Sequence, residues 1–328
     1  MAIVLNANEF FTGLTNLALF MRLYATNTSR VPDTFVDSFA TETLAYGDTK
    51  IFTFSDLPEV EEYNPISTLL DVVKNDNNQE TIKITESKVI RSSFSTQILE
   101  MAFTGEEGLN DFTGYLLGQM ESAKTAYLYD MIVSELFTET FGGTKQNASV
   151  NVWQLDSGSV QMTEIDSASL INQKNIALAI QDNIQNMQVY NNQYNQVGTG
   201  ETATSYYQAL ALDDLRLVIC NPYNNEQVVN LMATLLKSNY IVENFEKPKT
   251  LVIPTIKIPT GTGNENVICW IMHRFAYQWF YKFTLMGSFF DVSNLTINNF
   301  LHFWFGKGWL KNLPVCKIVA NPVQFPVT

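Results

Sequence analysis

Residues of the types that usually carry chemistry are few in this sequence. Histidine occurs only twice, at His273 and His302, and each lies in an apolar, strand-like segment. Neither has an Asp, Glu or Cys nearby at metal-ligand spacing, and an imidazole needs such partners to act as a base or a ligand. We therefore expect both histidines to be half-buried structural residues, and we predict no metal site.

Two glycine-containing loops and two glutamate pairs are the other candidates for a site. The loops "GTGETATS" and "GTGNEN" lack the Lys-Ser or Lys-Thr that completes a phosphate cradle, so they predict flexible loops. Adjacent carboxylates, such as Glu106 and Glu107 or Glu61 and Glu62, point in different directions along a helix or strand. The chain also has no G-x-S-x-G elbow. The sequence thus predicts no catalytic residue, no cofactor and no enzyme.

One basic and aromatic segment, "HRFAYQWFYKF", has two interpretations. Interleaved cations and rings can stack on the bases of a nucleic acid. The same pattern also arises when the two faces of a strand alternate. We favour the second interpretation, with the rings in a core or a subunit interface.

The three cysteines, Cys220, Cys269 and Cys316, lie in apolar strand-like contexts without metal-ligand spacing. Buried free thiols in a reducing compartment are therefore predicted. The start "MAIVLNANEF" lacks the basic residues of a signal peptide, and the most apolar stretch, "VICWIMHRFAYQWFYKFTLM", is interrupted by charges. The sequence therefore predicts an intracellular, soluble chain.

Charge is unevenly distributed along the 328 residues, whose net charge is −13. Up to Leu236 there are 11 basic against 29 acidic residues, and from Lys237 onward 9 against 4. Such asymmetry suits copies that meet head to tail through unlike patches, although a solvated acidic face explains it equally well. Only 16% of residues are charged and 46% are hydrophobic, which indicates a surface partly covered by partners.

The first ninety residues predict an arm followed by an extended hairpin. Residues 1–45 contain two helical patterns, "NEFFTGLTNLALFMRLYA" and "FVDSFATETLAY", separated by the breaker "TNTSRVPDT". Strands are predicted over Thr49–Phe54 and Glu80–Ile90. The acidic, Asn-rich connection between these strands has about 25 residues, which is long for a loop within a domain. It therefore predicts a projecting element.

A long helix over about 107–137 is the clearest element, since apolar residues recur there at helical spacing. Acidic residues precede it, and Gly142 and Gly143 follow it. A second helix, rich in Asn and Gln, is predicted over 166–194, and a third over 224–240.

Strands are predicted for most of the remaining chain. They cover "SVNVWQLDSGSVQM", "LRLVICNP", "TLVIPTIKIP", "VICWIMH" and "AYQWFYKFTL". The segment "FLHFWFGKGWLKNLPVCKIV", residues 300–319, predicts one long strand, in which Gly306 and Gly308 permit a bend or a close backbone approach. An ordinary hairpin corner in a β-rich core is the alternative for this segment. The whole chain is α+β.

The order of these elements resembles the major capsid proteins of tailed bacteriophages, which have the Hong Kong 97-type fold. The stretch from "ETIKITESKVI" through "GEEGLNDF" to "FGG" is similar to that family's hairpin return strand, acidic break, spine helix and glycine-rich exit. "DDLRLVICNP" resembles the axial-domain strand, and residues 300–319 resemble the closing strand. The resemblance implies an N-terminal arm (1–45), an extended hairpin loop (46–88), a peripheral domain (89–210 and 300–328, with the spine helix at about 107–138) and an axial domain (211–299).

The function implied by the resemblance is self-assembly into hexamers and pentamers of an icosahedral shell around double-stranded DNA, in a virion assembled in the host cytoplasm. Candidate inter-subunit contacts are Glu61, Glu62, Lys74, Lys307 and Lys311. Scaffolding and portal proteins are expected partners, with a separate scaffold as in podovirus-like phages, and no membrane partner is expected. Two alternatives stay open at this point, namely an encapsulin-like compartment that encloses an enzyme cargo and a cytoplasmic α+β enzyme.

Overall fold

The computed structural model of the chain describes residues 31–41, 49–55, 57, 77–95, 106–154, 167–198, 204–220, 248–261 and 263–324. Its helices are α1 (Val31–Phe39), α2 (Glu106–Thr138) and α3 (Ser167–Gln188). Its strands are β1 (Thr49–Ser55), β2 (Asn77–Ser95), β3 (Asn147–Gln154), β4 (Leu215–Cys220), β5 (Lys249–Ile253), β6 (Val267–His273), β7 (Tyr277–Asp291), β8 (Thr296–Trp309) and β9 (Val315–Gln324). The strands form two sheets, of orders β1-β2-β8-β7 and β3-β9-β6-β4-β5.

The chain divides into two compact units. Unit 1 takes its described residues from Met1–Lys50, Ile82–Ile132 and Gln278–Gly308, and unit 2 from Ile51–Thr81, Val133–Tyr277 and Trp309–Thr328.

In unit 1, α2 packs on one face of β8. Odd-numbered residues of β8 from Ile297 to Phe305 are buried, whereas the even-numbered residues between them are half-buried. This alternation places successive side chains on opposite faces. The ring of Tyr127 on α2 lies 6.1 Å from that of Phe303 and 6.2 Å from that of Phe305, edge to face. Earlier in α2, Met120 packs in a buried cluster with Met286 of β7 and Leu301 of β8.

In unit 2, β6 is buried on both faces. All of its residues from Val267 to Met272 are buried, which is typical of a strand covered on both sides. It pairs antiparallel with β4 and β9, while β3 runs parallel to β9 and β5 parallel to β4. Phe137, near the end of α2, lies edge-on to Trp270 with ring centroids 4.8 Å apart. This sheet is the core of unit 2.

The predicted strands agree with the observed ones in most of the described chain. β1 and β4 confirm the predictions for their segments, and β2 extends beyond its predicted ends. The predicted strand at 149–162 starts at Asn147, and its residues 155–162 fall outside the described part. The segment "TLVIPTIKIP" leaves the strand conformation after Ile253 and forms a short 3-10 turn at Thr255–Lys257.

Helix α2 confirms the prediction over 107–137, but the other two helices differ at one end. The prediction over 166–194 is wrong for its last six residues, since α3 ends at Gln188. There the Asn191 side-chain amide donates to the main-chain oxygens of Asn186 and Val189, and it thereby satisfies carbonyls that a continuing helix would use.

The helix predicted at 35–46 begins earlier, at Val31, and ends at Phe39. Pro32 does not break it, because proline is tolerated in a first helical turn. The helices predicted near residues 8–25 and 224–240, and most of the connection within the predicted hairpin, lie outside the described residues.

The prediction of one strand over 300–319 is wrong, because the chain forms β8 and β9 with a turn between Trp309 and Val315. Pro314 has no N–H for a ladder, and the Lys311 N–H is taken by the Glu80 carboxylate at 3.1 Å. Gly306 lies inside β8, where a Cβ would stand 2.8 Å from the Lys83 carbonyl oxygen. Of the two roles predicted for the glycines, close backbone approach is therefore correct at Gly306.

Candidate assembly surfaces

One face of the sheet in unit 1 exposes a patch of large apolar side chains. Phe283 of β7 stacks on Trp304 of β8 with ring centroids 4.3 Å apart and planes 20° apart. Trp304 points away from the buried Phe303 and Phe305, since neighbouring residues of a strand face opposite ways. Phe283 is 46% exposed. These two rings therefore lie on the face of the sheet that α2 does not cover.

The pairing of β2 with β8 extends this face. Val89 lies opposite His302 and Arg91 opposite Phe300 in the antiparallel register, and opposed residues share a face. Along β7, alternate residues after Phe283 continue the patch. We name this set the aromatic face, and its members are Val89, Phe283, Leu285, Phe289, Phe300, His302 and Trp304.

The aromatic face leaves large apolar side chains exposed. Leu285 is 55% exposed and Phe289 57% exposed. The guanidinium of Arg91 lies 5.9 Å from the centre of the Phe300 ring, in cation–π range. A contiguous patch of exposed large apolar side chains marks a surface that another molecule covers. The sequence contains a signal for this face. The buried residues Leu301, Phe303 and Phe305 alternate with the aromatic residues Phe300, His302 and Trp304, so that both faces of the strand carry large side chains.

Two of the predicted contact lysines form ion pairs within the chain. Lys307 Nζ lies 3.8 Å from Glu86 Oε1, and Lys311 Nζ lies 2.9 Å from Glu139 Oε1. The Lys311 side chain is still 52% exposed, so it can also face solvent or a neighbour. Glu61, Glu62 and Lys74 lie outside the described residues. An inter-subunit role for these five residues stays a prediction.

The two histidines lie in different surroundings. Burial is the main cause that lowers the pKa of His273 to about 4, and its Nδ1 accepts the N–H of Phe275 at 3.1 Å. His302 lies in a row of rings between Phe300 and Trp304. Among the described residues, no group of three or more His, Cys, Asp or Glu side chains is arranged to hold a metal ion.

The three cysteines are buried and free, as predicted. Burial raises the pKa of Cys220 and of Cys316 to about 12, and it raises the pKa of Cys269 as well. Thiols of this kind are chemically inert, because the reactive form is the thiolate.

The segment "HRFAYQWFYKF" is divided between core and surface. Residues 276–280 are buried, whereas Phe275 and Phe283 are exposed. The strand β7 begins at Tyr277, so the favoured interpretation holds for the rings of Tyr277, Trp279 and Phe280, which lie in the core. Of the helices in the described residues, none is both long and apolar enough to span a bilayer.

Solved structures of phage capsids have the same fold. A chain of the capsid structure of cyanophage P-SCSP1u superimposes with a TM-score of 0.55 at 11% sequence identity, over 88% of this chain and 88% of that chain. A chain of the capsid structure of Staphylococcus phage Andhra gives a TM-score of 0.55 at 11% identity, over 87% of this chain and 83% of that chain. A chain of the mature capsid of bacteriophage PhiM1 gives 0.52 at 9% identity over 90% of each. These likenesses establish an α+β phage capsid fold.

A comparison with curated proteins finds no match. In contrast, the model of one protein family, described as Phi29-like phage major capsid protein, matches residues 6–319. The match covers nearly the whole chain and includes both compact units. The chain therefore belongs to the Phi29-like phage major capsid proteins, structural and non-enzymatic proteins that form the icosahedral shell of the virion.

Proposed function

We propose that this capsid protein assembles as hexamers and pentamers around double-stranded DNA, and that neighbouring copies meet through the aromatic face. The observation that carries the proposal is the exposure of Phe283, Leu285 and Phe289 on one face of a sheet whose other face is packed against α2. Leaving these side chains in water is unfavourable, and burying each of them fully would stabilise an interface by about 1.5–3 kcal/mol.

The proposal includes the order of subdomains that was predicted from the sequence. In this proposal residues 1–45 form an arm, 46–88 an extended hairpin, 89–210 and 300–328 a peripheral domain, and 211–299 an axial domain. Support comes from the long helix α2 and from the pairing of β2, the predicted hairpin return strand, with β8. Each copy would thus grip several neighbours, and many modest contacts together would make the shell stable.

The enclosed DNA is held without sequence-specific contacts. The net charge of −13 disfavours tight binding to phosphates, which needs a cationic surface. Scaffolding and portal proteins are further proposed partners, since a closed shell needs a guide for its curvature and an entry for DNA.

The test is a charge placed on the aromatic face. We expect Leu285→Lys combined with Phe289→Lys to leave the subunit folded and to reduce the yield of closed shells at least tenfold. The reason is that a buried, unpaired ammonium opposes the contact. Shells are counted by negative-stain electron microscopy, and folding is followed by circular dichroism.

The matched control is Ile256→Lys, because Ile256 is 89% exposed and lies in the other unit. It should assemble like the unmodified chain. Normal shell yield from the double variant would refute the aromatic face as a contact. Shells purified from infected cells should also protect DNA from nuclease, and empty or protein-filled particles would refute the enclosed genome.

A further inference from the structure

Side-chain amides of α3 cover part of an open sheet edge in unit 2. Among the described strands, β3 lies at the edge of its sheet and pairs only with β9. The Asn172 side chain accepts the main-chain N–H of Trp153 at 2.7 Å and donates to its carbonyl oxygen at 2.9 Å. Asn175 donates to the carbonyl oxygen of Asn151 at 3.3 Å. These amides take the place of a neighbouring strand at alternate residues of β3, which explains an Asn-rich helix.

This series of amides stops at Ala179. Going along α3 from Asn172 to Asn175, the partner on β3 moves back by two residues, from Trp153 to Asn151. Four residues after Asn175 on the helix comes Ala179, and two residues before Asn151 on the strand comes Ser149. The rise per residue of helix and strand places these two residues side by side. An alanine side chain has no hydrogen-bonding group. Ser149, whose N–H and carbonyl point away from β9 like those of Asn151 and Trp153, is therefore the position where the covering ends.

A cavity lies where the amides stop. It has a volume of about 560 Å³, and both Ala179 and Ser149 line it; we name it the Ser149 cavity. Its wall carries one cation, Lys145, and one anion, Asp182, together with amide and hydroxyl groups. The volume lies within the range of about 300–1,000 Å³ that is usual for ligand sites. A lining of balanced charge with many hydrogen-bonding groups suits a neutral polypeptide backbone.

We propose that the Ser149 cavity binds an extended segment of a second copy of this chain, which adds to β3 as a further strand at Ser149. An open strand edge recruits such a segment through main-chain hydrogen bonds. The inference rests on the proposed function, because a shell holds every copy beside identical copies at a high effective concentration. Because Lys145 and Asp182 carry opposite charges, the cavity favours neither a strongly negative nor a strongly positive partner.

Two variants act on this cavity in different ways. Ala179→Asn continues the series of amides, so that its side chain occupies the Ser149 backbone in place of a neighbour. Ser149→Pro removes only the N–H that points away from β9, a change that edge strands tolerate. Both variants should fold like the unmodified chain, and the yield of shells from each should be at least tenfold lower. Two matched controls should assemble normally. Lys174→Asn changes an exposed residue of the same helix outside the cavity, and Ser149→Ala keeps the main chain intact.

The deciding measurement is hydrogen–deuterium exchange of fragments covering residues 147–151, in free subunits and in shells assembled from the purified chain alone. We expect exchange of the Ser149 amide at least tenfold slower in shells, and we expect Ala179→Asn to abolish this difference. Equal exchange in subunits and shells would overturn the inference while leaving the proposed function intact.

Two further outcomes would also overturn it. Slow exchange seen only in complete virions would assign the cavity to a different protein. A chain that forms no shells under any condition would refute the proposed function itself, and the second-copy site with it.

Discussion

The two sheets of this capsid protein are built on opposite principles. In the five-stranded sheet, β6 is buried along nearly its whole length and carries Trp270 at 0% exposure. In the four-stranded sheet, β8 buries only alternate residues, and its neighbour β7 leaves Phe289 57% exposed. Both sheets are rich in aromatic residues, so composition does not distinguish them. We infer that the first sheet supplies the stability of the folded subunit and the second a surface for assembly.

The largest expected effect tests the stabilising role of the five-stranded sheet. Trp270→Ala should lower the free energy of unfolding by about 3–5 kcal/mol, because it leaves a cavity beside Phe137 in a fully buried strand. Denaturant unfolding of unassembled subunits measures the change. In the other sheet, Phe289→Ala should change the free energy of unfolding by less than about 0.5 kcal/mol. Similar losses for both variants would remove the contrast between the sheets.

A smaller effect tests whether the four-stranded sheet is nevertheless tightly packed between its strands. In Gly306→Ala the new methyl would stand 2.7 Å from Phe280 Cζ and 2.8 Å from the Lys83 oxygen, at a bulge where the β2–β8 register shifts. We expect a loss of about 1–3 kcal/mol in unfolding free energy. Gly287→Ala, at a position with no atom within 4 Å of the added Cβ, is the control and should not destabilise. If Gly306→Ala left the free energy of unfolding unchanged, β2 and β8 would be able to move apart easily.

The smallest effect concerns acid and the end of β6. The pKa of His273 is lowered from 6.5 to about 4 by burial and by the nearby Arg274 and Arg216, although Asp214 opposes this. Between these two pKa values the unfolded chain binds more protons than the folded chain, so the stability present above pH 6.5 decreases as the pH falls toward 4.

Because solvent reaches part of the imidazole, we expect a loss of about 1–2 kcal/mol, below the value of roughly 3 kcal/mol that the full shift represents. His273→Gln should show a flatter decrease than the unmodified chain when unfolding is measured from pH 7 to pH 4. Identical profiles would show that His273 does not contribute to the acid sensitivity.

The family decides between the alternatives that the sequence left open. Membership of the Phi29-like major capsid proteins confirms the resemblance to tailed-phage capsid proteins and the prediction of a non-enzymatic chain of the virion. The encapsulin-like compartment and the cytoplasmic enzyme are correspondingly set aside.

Elements with a periodic pattern of apolar residues were predictable from the sequence. Features that depend on contacts with other parts of the chain were not. The limits of α2 follow from helical spacing of apolar residues together with acidic residues at its start, so the prediction matches within a residue. The end of α3 depends on Asn191 reaching back to carbonyls of the last turn, a contact that periodicity does not contain. Helical spacing alone therefore extended the predicted helix too far.

The assembly surfaces illustrate the same limit. Asn172 and Asn175 were visible only as part of an Asn-rich helix, because their role depends on β3 lying alongside them. The aromatic face depends on the pairing of β2 with β8, whose residues are more than 200 positions apart in the chain. Nothing in the local pattern of either strand specifies that register. The closing strand was predicted as continuous because its residues are apolar on both sides of the turn at Asn312 and Pro314.

The position of β9 has a consequence for the synthesis of this protein. β9 lies between β3 and β6 in the sheet, yet it is the last described strand to leave the ribosome. Until residues 315–324 emerge, the nascent chain holds β3 without its parallel partner and β6 with one edge unpaired. Such long-range pairing slows folding. The five-stranded sheet is therefore completed only after residues 315–324 have been translated. A copy whose ribosome has not yet passed these residues cannot join a shell.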